Sequence, residues 1–227
     1  MNFTSTLDPA HHATFFEAVY RGIAPGGGLY MPETLPPLPA DIRAGRSQAG
    51  FSEIAYEVIR HFVEEEIPEI ELRRLIDESM NFPVPLRDLD DRLSVLELFH
   101  GPTLAFKDFG ARFLGRVLSY QRRDADREIT ILVATSGDTG SAVASGCTDV
   151  PGVRVVLLFP AGKVSKVQEL QLTTGGPNIT TLRVDGTFDD CQRLVKQAFA
   201  DQELRTRLVL TSANSINIAR LLPQTFY

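Results

Sequence analysis

The chain has 227 residues, 43% of them hydrophobic, enough for one domain or two small ones with a substantial core. Its 29 acidic and 23 basic residues leave a formal charge of -6 with no long basic run, which argues against a nucleic-acid surface. The apolar runs are far too short to span a bilayer and the first ten residues lack a secretory pattern. Cys147 and Cys191 read as core residues, so the expectation is a cytoplasmic protein that handles small molecules.

Up to about residue 90 the chain reads as helical and acidic. A short helix is predicted from Thr14 to Tyr20, stopped by Gly22, Pro25 and the glycines that follow. Met31 to Pro39, with four prolines, is an extended connection. Phe51 to Val63 places Ile54, Ala55, Val58, Ile59 and Phe62 at helical spacing, with Ser52 as a partial N-cap. Pro68 opens another helix, whose inner stripe is Leu72, Leu75 and Ile76.

After residue 90 strands and helices alternate. Leu93 to Phe99, Ile129 to Ala134, Val153 to Phe159, Ile179 to Val184 and Leu208 to Thr211 read as strands. Gly110 to Arg122, the stretch through Val143, Ser165 to Leu172, Phe188 to Ala200 and Asn214 to Leu222 read as helices. Apolar strands separated by helices imply an α/β fold with a parallel sheet covered on both faces. Ligand sites in such sheets form beyond the carboxyl ends of the strands.

Three loops at those ends carry candidate chemistry. His100 to Phe109 sets Lys107 among aromatic rings where a strand passes into a helix. Two readings stand: a surface lysine with its stem on apolar neighbours, or an amine used for Schiff-base chemistry with a cofactor aldehyde. Thr135 to Ser141 combines Gly137 and Gly140 with four hydroxyls, a cradle for a carboxylate or phosphate or else a plain capped turn. Asp138 is awkward in an anion cradle and suits accepting hydrogen bonds or capping. Asn214, Asn217 and Arg220 are spaced to share a helical face, with Ser215 at the helix start, either as an anion grip or as a capped helix with a solvent-facing arginine. Lys163, on the Pro160 to Lys163 edge near Gln168, could border the same cleft or be an ordinary loop lysine. The four histidines fall into no metal-ligand spacing, and no P-loop or nucleophile elbow is present.

Taken together, five segments resemble the threonine synthase family, of the tryptophan-synthase-β-like, fold-type-II pyridoxal-phosphate enzymes. They are Tyr20 to Pro32, Phe99 to Gly110, Ala134 to Ala142, Pro160 to Gln171 and Asn214 to Tyr227. The resemblance implies a mainly helical N-terminal domain over 1–90. It also implies part of a three-layer, parallel-sheet catalytic domain over 91–227. It implies pyridoxal 5'-phosphate held by Lys107, with Phe106 and Asp138 close to it. Thr135, Ser136 and Thr139 would take the substrate carboxylate. Asn214, Ser215 and Arg220 would hold the substrate phosphate, supported by Asn217 and more weakly by Lys163. The implied reaction converts O-phospho-L-homoserine and water to L-threonine and phosphate, with no metal, nucleic-acid or membrane partner.

The family continues beyond its counterpart of Tyr227, and a glycine-rich cofactor-phosphate loop is absent here. The chain on its own is therefore expected to be an incomplete N-terminal portion, poorly active and prone to self-association. Rival readings are another fold-type-II enzyme, such as a threonine or serine dehydratase or cysteine synthase, and a non-catalytic relative that binds phosphorylated amino acids.

Overall fold

The structure, a computed structural model, describes residues 1–45, 48–63, 65–123 and 127–227. The chain opens with β1 (Phe3–Ser5) and β2 (His12–Ala13), then α1 (Phe15–Arg21) and β3 (Tyr30–Pro32), and the strands pair antiparallel in the order β2-β1-β3. Thr14 and Glu17 close a capping box at the start of α1, and the Glu66 carboxylate accepts from the amides of Phe15 and Phe16 at 2.6 and 3.0 Å. A helix start has free N–H groups and a positive dipole end, so this anion is well placed. Three helices follow: α2 (Ala40–Arg43), α3 (Phe51–Val63) and α4 (Glu69–Ser79). The buried residues of α3 include Ala55, Val58, Ile59 and Phe62, and those of α4 include Leu72, Leu75 and Ile76, as the spacing requires. Ser52 lies inside α3 and does not cap it, because the helix already begins at Phe51.

The segment expected to lead into the parallel sheet takes another partner. β4 (Leu86–Asp90) and β5 (Leu93–Leu96) form a separate antiparallel hairpin. The Asp90 carboxylate accepts from the amides of Arg92 and Leu93 at 2.8 and 3.0 Å, closing a tight turn that folds β5 back on β4. An apolar run specifies a strand but not its neighbour, and this turn decides it.

The remainder is the doubly covered sheet. Its elements are α5 (Lys107–Arg122), β6 (Ile129–Ala134), α6 (Asp138–Cys147), β7 (Val153–Pro160), α7 (Lys166–Thr173), β8 (Ile179–Val184), α8 (Phe188–Ala200), α9 (Gln202–Arg207), β9 (Val209–Thr211) and α10 (Ile218–Leu221). The four strands are parallel in the order β8-β7-β6-β9. Alternation assigns the faces. Ile129, Ile131 and Val133 join the core containing Phe109, Phe113 and Val143, whereas Leu132 and Leu158 pack with Cys191 of α8. The main core is continuous from Phe3 to Leu222, so the N-terminal segment and the sheet share one interior. Both thiols are free and buried, and burial pushes the Cys147 thiol up to about 12.

Two further departures concern ends. α5 begins at Lys107, three residues before the predicted Gly110. The expected helix from Asn214 shrinks to α10, because the Asn217 side chain accepts from the Ala219 amide at 3.0 Å and fixes the start there. Asn214, Asn217 and Arg220 therefore do not share a helical face. Among the described residues no helix is long and apolar enough to cross a membrane.

Candidate active site

Lys107 is placed by a loop that its own neighbour locks. Asp108 is fully buried, and its carboxylate accepts from the Thr103 amide at 2.9 Å and the Thr103 hydroxyl at 2.7 Å. Gly101 must lack a side chain here, since a Cβ would stand 2.5 Å from Asp108 Oδ2. Leu104 holds a φ of 60°, a conformation that costs a bulky residue about 1–3 kcal/mol and persists where surroundings impose it. Gln171 adds a tie to the Thr103 carbonyl at 3.3 Å. The sequence reading passed over Asp108; an aspartate in the first turn of a helix, just after a glycine-threonine loop, was the available signal.

The lysine amine then meets a second loop. Lys107 Nζ lies 3.2 Å from Asp138 Oδ2 and 4.4 Å from the Phe106 ring centroid, with a quarter of the side chain exposed. Asp138 also accepts from Gln168 Nε2 at 2.8 Å. The Gln168 amide first, and then the Lys107 ammonium, hold the Asp138 carboxyl below its usual range. Gln168 is itself fixed by a capping box with Ser165 at the start of α7. Gly137 makes room for it: φ is 147°, and a Cβ would lie 2.3 Å from Gln168 Nε2. This lysine, carboxylate and amide form a chain across three strand-end loops.

Behind Asp138 the β6–α6 loop is closed on itself. The Thr135 hydroxyl accepts from the amides of Gly137 and Gly140 at 3.1 and 2.8 Å and donates to the Gly137 carbonyl. Thr135 is thereby a scaffold, whereas the hydroxyls of Ser136 and Thr139 make no hydrogen bond among the described residues and Ser136 is exposed. Lys163 lies in the β7–α7 loop, exposed and with no side-chain bond to the other candidates.

The β9–α10 loop is built differently. Asn214 Oδ1 accepts from the Ile216 amide and the Ser215 hydroxyl at a loose 3.4 Å each. Asn217 is fully buried and donates to the Val19 carbonyl at 2.7 Å. Arg220 is 2% exposed; its Nη1 donates to the Ala213 carbonyl at 2.7 Å, while its Nε is buried without a partner among the described residues. Burial, with no carboxylate to offset it, pushes the Arg220 guanidinium below its ordinary value.

Topology brings the two loops together. The chain steps from β6 outward to β7 and β8, then returns to place β9 on the other side of β6. The carboxyl ends of β6 and β9 thus flank a topological switch point, the preferred ligand crevice of open parallel sheets. A cavity of about 560 Å³ occupies it, and Thr135, Ser136, Thr139, Asn214 and Ser215 all line its wall. Lys107, Phe106, Asp138, Lys163, Asn217 and Arg220 do not line it; Asp138 adjoins the lining residue Thr139 in sequence, and Arg220 donates to the carbonyl of the lining residue Ala213. A larger cavity, about 1070 Å³, opens between α4, α5 and residues 149–152. It adjoins the amino end of β7, away from the carboxyl ends that carry the candidate loops, and its Arg74 and Arg116 are paired with Glu71 and Glu78.

Comparison with known proteins gives a consistent picture. Residues 2–80 match the family model described as threonine synthase N terminus, and residues 83–222 match the one described as pyridoxal-phosphate dependent enzyme. The chain is 44% identical over 227 residues to the threonine synthase of Serratia marcescens, covering all of this chain and 52% of that protein. The threonine synthase of Escherichia coli is 43% identical over the same length, with 53% of it covered. The crystal structure of pyridoxal-phosphate-bound threonine synthase from Brucella melitensis superposes with a TM-score of 0.93 at 39% identity, covering 100% of this chain and 50% of that one. The chain spans about half the length of the curated relatives it matches.

Proposed function

Since the chain belongs to the pyridoxal-phosphate dependent enzyme family, we propose that it is the lysine-bearing part of a threonine synthase, working in the cytoplasm. The reaction is conversion of O-phospho-L-homoserine and water to L-threonine and phosphate. Pyridoxal 5'-phosphate, when bound, supplies the electron sink for carbanions that side chains alone cannot sustain.

The fit of this chain to that group rests on Lys107. Its amine is fixed by the Asp108–Thr103 lock, is partly exposed, and has a carboxylate 3.2 Å away. This amine would hold the cofactor covalently and, as a free base, would take the α-proton and assist proton transfer at Cβ. Asp138, kept ionised by Gln168 and Lys107, orients the amine and lies near the cofactor together with Phe106. Ser136 and Thr139, with hydroxyls to spare, receive the substrate carboxylate on the frame that Thr135 holds. Asn214 and Ser215 grip the phosphate, with Lys163 at the rim. Arg220, a buried cation with an unpaired Nε, favours the phosphate as its charge grows on leaving Cγ. Asn217 supports that loop from below.

What carries the reading is the Lys107–Asp138 pair, with Asp138 next in sequence to Thr139, which lines a cavity edged by free hydroxyls and an asparagine. Its test is a product assay on the natural full-length polypeptide that carries this sequence. Threonine and phosphate should appear in equal amounts from O-phospho-L-homoserine, with no ammonia released from threonine or serine. Deamination of threonine or serine without phosphohomoserine turnover would replace the synthase reading with a dehydratase.

A further inference from the structure

The cavity beyond β6 and β9 has a charge bias that the residues named so far do not explain. Its lining includes Arg21 and Lys196 and no aspartate or glutamate, in a chain whose 29 acidic residues exceed its 23 basic ones. Neither cation is neutralised. Among the described residues the Arg21 side chain has one hydrogen bond, from Nη1 to His11 Nε2 at a long 3.4 Å, and that imidazole also meets the Tyr30 hydroxyl at 3.0 Å. Lys196 has no hydrogen bond or ion pair among the described residues. The α8 neighbour Arg193 differs, pairing with Asp190 at 3.1 Å.

Arg21 is also held in place with unusual care. It ends α1, and the two carbonyls before it are capped by side chains from the far end of the chain. Asn217 Nδ2 donates to Val19 at 2.7 Å and Thr211 Oγ1 donates to Tyr20 at 2.6 Å. Gly22 follows with φ 67° and closes the helix on the Ala18 carbonyl at 2.9 Å. The latch uses the strand and loop that carry Asn214 and Ser215, so the last turn of α1 and that loop form one wall.

We infer that Arg21 and Lys196 bind the phosphate of the substrate beside Asn214 and Ser215, and that the N-terminal segment therefore contributes directly to ligand binding. A guanidinium offers paired donors to a phosphate monoester, and an ammonium adds a point charge. The inference rests on the synthase reading for the substrate's identity, but not for its test.

Inorganic phosphate is the probe, titrated calorimetrically into the cofactor-loaded full-length polypeptide. Arg21→Ala and Arg21→Gln should each weaken phosphate about tenfold to a hundredfold, the loss of one charge-assisted contact. Arg21→Lys should retain part of the affinity, and Lys196→Ala should lose a few-fold. KM for O-phospho-L-homoserine should rise in parallel while kcat changes little. Cofactor trapped on Lys107 by borohydride should be unaffected. Unchanged phosphate affinity in the Arg21 and Lys196 variants would overturn the inference, as would loss of trapped cofactor with phosphate affinity intact. Failure to trap cofactor in the unsubstituted protein would instead strike the synthase reading, leaving the phosphate titration to stand or fall on its own.

Discussion

The loops after β6 and β9 face each other across one cavity and are built in opposite ways. In the first, Thr135 satisfies the amides of Gly137 and Gly140, and Gly137 admits Gln168, so the loop is complete without a ligand. In the second, Asn214 is loosely held and Arg220 keeps a buried Nε without a partner, while Asn217 and Thr211 are committed to α1. A satisfied polar network rigidifies, and an unsatisfied buried one costs free energy until something pairs with it. The contrast separates a hydrogen-bonded scaffold next to Lys107 and Asp138 from a looser loop that, on the function proposed above, receives an anion.

That contrast can be broken by substitution. The largest effect on stability should come from Thr135→Val, which leaves two buried amides without an acceptor and should cost about 2–4 kcal/mol in urea unfolding. Arg220→Met should behave in the opposite sense. Unfolding without ligand should shift by less than about 1 kcal/mol, since an unpaired buried cation is exchanged for an apolar chain of similar length. Phosphate affinity should nevertheless fall about tenfold to a hundredfold. Equal stability losses in the two variants would erase the distinction. Asn214→Ala, at an exposed site with loose bonds, should change stability by no more than about 0.5 kcal/mol while weakening phosphate several-fold.

The smallest effect concerns pH. Asp138 is held below its usual range in the folded chain, so its contribution is fully present above the unfolded carboxylate value, near about 3.9. That contribution is lost as pH falls through the depressed folded value. Asp138→Asn should flatten this acid limb slightly, and only slightly, because the side chain is 48% exposed. An unaltered acid limb in the variant would mean that the Gln168 and Lys107 contacts do not bias the carboxyl in solution.

Much of this architecture was legible in the sequence wherever local pattern sufficed. β6, β8, α3 and α8 begin and end where period and propensity place them. Leu93 to Phe99 reads as a strand, of which Leu93–Leu96 is one, but its partner depends on the Asp90 turn and not on its own apolar residues. The start of α10 falls later than the reading from Asn214 because Asn217, expected inside the helix on a polar face, is its buried cap. For the site, the hydroxyl loop and the asparagine-serine pair do share a cavity. Arg21 was out of reach for a different reason: its placement depends on bonds from Thr211 and Asn217, 191 and 198 residues from their acceptors. No local period carries that information.

The most direct test of the account is covalent. The natural full-length polypeptide would be loaded with pyridoxal phosphate, reduced with borohydride and mapped by peptide mass, alongside its Lys107→Ala variant. The account expects the label on Lys107 in the first and none in the second. A label on another lysine, or none on the unsubstituted protein, would contradict it.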